Sequence, residues 1–187
     1  MTASENTPES ATSATSDTAG SSRLQLLSNG RYHVMVTDEG GGYSGWKGLA
    51  LTRWREDATG DSCGAFCYIS DVDGGHVWST TRQPTLPRAR VFSASFSPGL
   101  AMFRVRAHDI EVQTEVVVSA VDDVELRRVR VTDHSVTRRT LALTSYAELV
   151  LGTAAADAAH PAFETLFVET EVLRELQAIV CTRRARS

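Results

Sequence analysis

Lysine occurs once, at Lys47, and cysteine three times, at Cys63, Cys67 and Cys181, in a chain of 187 residues. An odd cysteine count argues against a disulfide framework. The N-terminus shows neither the basic stretch nor the apolar stretch of a secretory signal, so a reducing, cytoplasmic location is expected. The spacing Cys63-x-x-x-Cys67 has no second ligand pair and its surroundings read as a strand, so no metal and no cofactor are expected. Long apolar runs are also missing. Nothing approaches the roughly 18 residues that a spanning helix needs, and no membrane segment is expected in this chain. A net positive charge is missing too. The formal net charge is −4, three units of it carried by Glu5, Glu9 and Asp17, which leaves the rest near neutral and gives no basic face for nucleic acid.

What is present is globular: 42% hydrophobic and 22% charged residues, enough in one domain to bury a core. Residues 1–22, "MTASENTPESATSATSDTAGSS", contain no large apolar side chain and read as a disordered tail or linker. From Leu24 onward the hydrophobic period is two. Tyr32, Val34 and Val36 share a face, after a turn at Ser28 to Gly30. The clearest strand is "IEVQTEVVVS", in which Ile110, Val112, Thr114, Val116 and Val118 point one way. Hairpin turns are expected at Asp71 to Gly75, at Ser97 to Gly99, and at His108 and Asp109. "RTLALTSYAELV" and "AFETLFVET" read as further strands. In "VELRRVRVT" the apolar positions slip by one residue between Leu126 and Val129, for which a β-bulge is expected. "TEVLRELQAIV" reads either as one helical stretch or as a turn followed by a last strand. Many short strands and no long amphipathic helix predict an all-β fold, an antiparallel β-sandwich spanning residues 23–187.

One segment stands apart. "DEGGGYSGWKGLALTRWREDATGD" sets three glycines beside Tyr43, Ser44, Trp46, Arg53, Trp54, Arg55 and Asp57. The glycines lack the Lys-Ser/Thr of a phosphate loop, and no helix pattern follows them. Aromatic rings that stack on the C–H faces of a sugar, beside charged groups that take its hydroxyls, are the ingredients of a carbohydrate site. The same residues also suit a plain role, with Trp46 and Trp54 packing in the core and Arg55 pairing with Asp57 in a loop.

That segment, with "YISDVDGGHVWS", "TEVVVS", "LTSYAELVL" and "ADAAHPAFETLFVETE", closely resembles the amino-terminal β-sandwich of glycoside hydrolase family 94, formerly glycosyltransferase family 36. Within it the likeness is nearest to the phosphorylase-like region of cyclic β-1,2-glucan synthases. The likeness runs from Leu24 to Ser187. Arg82 in "WSTTRQP" departs from it, standing where the family usually has an aromatic residue.

The resemblance implies a supersandwich that continues past Ser187, so this domain is expected to be truncated at its C-terminal end. It also implies an inverting reaction whose general acid lies in an (α/α)6 barrel, so the chain is expected to be non-catalytic by itself. The implied partners are a β-glucan or small sugar, a helical (α/α)6 catalytic domain in cis or trans, and a second copy in a homodimer; a membrane-tethered parent protein is compatible. By the same resemblance Gly41, Gly42, Tyr43, Ser44, Trp46, Arg53, Arg55 and Asp57 become candidates for sugar or interface contact, on a mobile rim from Gly40 to Asp57. Asp57, Asp61, Asp157 and His160 lie in expected loops, and none is assigned a catalytic role. A free-standing sugar-binding module and a docking scaffold for a helical partner remain open beside the preferred reading.

Overall fold

The computed structural model describes residues 23–55 and 62–184. The expected tail at 1–22 and Asp57 lie outside them. Among the described residues fourteen strands alternate with tight turns, interrupted by two short α-helices, α1 (Ala154–Ala159) and α2 (Pro161–Thr165). Among the described residues no helix is long and apolar enough to cross a membrane.

One layer is a four-stranded antiparallel sheet in the order β10-β9-β8-β7: β7 (Val91–Ser97), β8 (Leu100–Ala107), β9 (Ile110–Val118) and β10 (Glu125–Asp133). The other layer is made of two sheets. The first runs β1 (Leu24–Ser28), β2 (Tyr32–Thr37), β3 (Gly42–Trp46), β4 (Leu49–Thr52) and β12 (Leu149–Gly152); the second runs β11 (Leu141–Ala147), β5 (Ala65–Asp71) and β6 (His76–Ser79). Period-two patterning explains how they meet. Leu27, Val34 and Val36 pack on Ala101, Phe103 and Val116. Ile69 and Trp78 pack on Val105, Ile110 and Val112. β9 therefore buries Ile110, Val112, Thr114 and Val116 beneath both sheets. At roughly 1.5–3 kcal/mol for each large apolar side chain buried, this two-part core dominates the stability of the sandwich.

The three expected turns close β5–β6, β7–β8 and β8–β9. Other expectations need correction. β10 pairs with β9 in unbroken register from Glu125↔Val118 to Asp133↔Ile110, so it has no bulge. "AFETLFVET" begins as α2 and becomes β13 (Val168–Leu173) only at its end. Cys63 precedes β5, so it does not share a strand with Cys67; both, and Cys181, are unpaired. "RTLALTSYAELV" is divided at Glu148, with β11 pairing to β5 and β12 to β4. The stretch after β13 is a single 3-10 turn (Arg174–Leu176) followed by β14 (Ala178–Arg183), the turn-and-strand alternative.

Candidate functional site

The three glycines form a packed hairpin turn. Thr37 N–H donates to Gly41 O at 2.9 Å, Gly41 N–H to the Thr37 hydroxyl at 3.1 Å, and Gly42 N–H to Cys63 O at 2.8 Å. A Cβ on Gly40 would sit 2.3 Å from the Thr81 Cβ, and one on Gly42 would sit 1.9 Å from Met35 O. Gly40, Gly41 and Gly42 are buried, and the chain enters β3 at Gly42. The expected mobile rim is therefore corrected over 40–46: the glycines admit neighbouring protein, and the segment is an inner part of the sheet.

Alternation along β3 then divides the aromatic candidates. Ser44 and Trp46 face the four-stranded layer, where the Ser44 hydroxyl donates to Glu125 at 2.6 Å and the Trp46 indole N–H donates to Asp123 at 2.5 Å. That indole bond is the main reason the Asp123 carboxyl is held below its ordinary pKa, with Arg31 adding to it. Lys47 lies over the Trp46 ring, 4.5 Å from its centroid, so this tryptophan is already occupied on edge and face. Tyr43 and Gly45 point the other way.

On that outer face is a cleft of about 390 Å³, lined among others by His33, Tyr43, Thr52, Arg53, Trp54 and Asp157. His33 stands edge-on to Tyr43 with centroids 5.8 Å apart, and Trp54 is tilted 48° to Tyr43 at 5.9 Å. Gly45 makes room for this cluster, since a Cβ there would come within 2.5 Å of the His33 ring. The polar wall is preset. Arg53 Nε and Nη2 donate to the two Asp157 oxygens at 2.9 and 2.8 Å, and its Nη1 donates to Glu148 at 2.8 Å. These bonds, Asp157 foremost, raise the guanidinium pKa further, and the group stays charged. Asp157 is buried near the start of α1, whose N-cap is Thr153. Removing one partner of such a buried pair costs roughly 3–5 kcal/mol, because the other charge is stranded.

Of the sequence candidates, the structure brings Tyr43 and Arg53 into the cleft. It places Gly41 and Gly42 in the turn and Ser44 and Trp46 on the opposite face; Arg55 is exposed and outside the lining. Asp57 lies outside the described residues. Sequence reasoning missed His33, Thr52, Trp54 and Asp157 as cleft residues. One signal was available: Tyr43 and Trp46 are three residues apart, and on a strand an odd separation puts them on opposite faces.

The family described as glycosyl hydrolase 94, supersandwich domain, matches residues 9–187. The chain belongs to that family. This supersandwich domain is also similar to the cyclic beta-(1,2)-glucan synthase NdvB of Rhizobium meliloti (strain 1021), at 36% identity over 162 residues. The match covers 87% of the chain and 6% of that protein's length, so the supersandwich spans a small part of its relative. The family match begins inside the segment expected to be a tail, 1–22.

Proposed function

We propose that this supersandwich domain is the non-catalytic, carbohydrate-associated part of a cyclic β-1,2-glucan synthase-like enzyme, working beside a helical (α/α)6 catalytic domain in cis or in trans. The observation that carries the reading is the state of the buried carboxylates. Asp71, Asp157 and Glu164 are each buried, and each faces an arginine: Asp71 meets Arg139 at 3.4 Å, Asp157 meets Arg53 at 2.8 Å, and Glu164 meets Arg183. Glycoside chemistry by inversion needs a carboxylic acid free to protonate the leaving oxygen. Carboxylates held against guanidinium groups are engaged as hydrogen-bond acceptors that tie the structure together, and are not free for that role. The unpaired state of all three cysteines supports a cytoplasmic location.

The test is an assay of the purified chain with a β-1,2-glucan and phosphate, alone and after adding a separately produced family 94 helical domain. No glucose 1-phosphate from the chain alone, and a stable complex with the helical domain, is the expected result. Glucose 1-phosphate released by the chain alone overturns the proposal.

A further inference from the structure

We propose that the cleft between β3, β4 and the start of α1 is a binding subsite for one neutral hexopyranose ring, with Tyr43 and Trp54 taking its C–H face and Asp157, Thr52 and His33 taking its hydroxyls. The inference rests on the carbohydrate association proposed above and adds a place for it.

Size is the first argument. About 390 Å³ falls at the lower end of the roughly 300–1,000 Å³ of ligand sites, room for a single ring and little more. The floor is kept clear by Gly45, Gly48 and Ala50, and a Cβ built on Gly48 would meet nothing within 4 Å. Next come the rings. A tilt of 48° at 5.9 Å opens Tyr43 and Trp54 as a V instead of closing one face on the other. Trp46, by contrast, has its ring covered by Lys47 and its N–H spent on Asp123.

Charge then decides the class of ligand. Among the described residues the one guanidinium lining the cleft already holds two carboxylates, Asp157 and Glu148, so none of them offers a free positive charge to a phosphate or an acidic sugar. Neutral hydroxyls are matched better. Thr52 Oγ1 accepts from Ser44 N–H at 2.8 Å, which leaves its own O–H to donate. Asp157 oxygens keep lone pairs beyond those used by Arg53, and among the described residues the His33 ring nitrogens and the Tyr43 hydroxyl have no hydrogen-bond partner. An apolar V with donors and acceptors along one wall presents the two surfaces of a pyranose.

The test titrates β-1,2-linked and β-1,4-linked gluco-oligosaccharides into the full chain and follows the three tryptophan indole N–H resonances, assigned with Trp54→Phe and Trp46→Phe. Saturable movement of the Trp54 signal is expected, with half-saturation near or below about 1 mM, while the Trp46 and Trp78 signals stay in place. Ala50→Leu, which fills the floor, and Trp54→Leu should each weaken binding about tenfold or more; Trp46→Phe should leave it unchanged. Resonances that do not move up to roughly 20 mM sugar overturn the subsite, as does binding that survives Ala50→Leu in a folded protein. Wild-type resonances alone decide the matter if the variants fold poorly. A failed titration leaves assembly with a helical domain standing, and catalysis by the chain alone would sink that reading without touching this one.

Discussion

Gly42 shows at the scale of one residue how much of this molecule depends on absent side chains. Its φ is +149°, and a Cβ there would stand 1.9 Å from a backbone oxygen that cannot swing away. Gly48 has φ +81° but open space around it. Gly42→Ala should therefore cost at least about 2 kcal/mol, and Gly48→Ala only the backbone strain of about 1 kcal/mol. Urea unfolding of the two variants measures the difference, and equal losses would show that the close approach at Gly42 relaxes. The triplet was legible in the sequence as free backbone, which suggested a mobile rim; what approaches it was not legible, because Met35 and Thr81 reach it only through the fold. The same holds for the tryptophans. Composition shows Trp46 and Trp54 as equals, and only the strand alternation and the chain direction after Thr52 send one to Asp123 and the other to the cleft.

At the scale of elements, β9 was plain from its alternation because both sheets of the second layer press on one of its faces. β10 was harder. Its apolar slip suggested a bulge, yet the strand stays regular by leaving Leu126 exposed at 55% and turning Glu125 and Arg127 inward. Those two charges are tolerated there since they pair at 2.5 Å, Ser44 donates to Glu125, and Arg127 donates to Ala65 O. Hydrophobicity alone cannot reveal a polar residue whose partners come from another sheet. The β8–β9 hairpin offers a measurable consequence. His108 and Asp109 hold φ of +50° and +60°, and the His108 ring stacks on His76 at 4.1 Å and leans on Trp78 at 5.2 Å. Burial first, then His76 and Arg139, lowers the His108 pKa. The unfolded chain therefore takes up this proton more readily than the folded one. Stability should fall as pH drops through about 6.5, and the loss should be complete below the depressed folded value. His108→Asn keeps a residue that accepts the left-handed turn and removes the proton. It should flatten the stability slope between about pH 5 and 7; a slope as steep as wild type would place the titration elsewhere.

For the whole molecule, the decisive feature is where apolar surface remains uncovered. Val172 and Ile179 face each other across β13–β14 and are 63% and 67% exposed, with Leu166 and Leu176 nearby in sequence at 68% and 73%. A two-stranded ribbon is marginal by itself, and its apolar face is an invitation to association. The isolated chain should bind an apolar dye and scatter light increasingly with concentration. Val172→Thr with Ile179→Thr should reduce both while moving the melting temperature by no more than about 2 °C, since neither side chain is packed. Unchanged scattering would put the sticky surface elsewhere. The sequence pattern could not foresee this exposure, because alternation says which residues share a face and is silent on whether a second layer lies over it.

The pairing of β4 with β12 has a further consequence, in the order of events during folding. Arg53 and Asp157 are separated by 104 positions in the chain, yet they meet as neighbours in the cleft. The hairpins β3–β4, β5–β6, β7–β8 and β8–β9 are local and can form early, whereas the pairing of β4 with β12 joins segments far apart in the chain and is expected late. Refolding followed at Trp54 should thus lag behind the recovery of strand signal in circular dichroism, and coincident traces would refute a late closure. On the ribosome the same geometry sets a deadline: the cleft cannot exist until Asp157 has left the exit tunnel, so a nascent chain carries most of its strands well before it has its cleft.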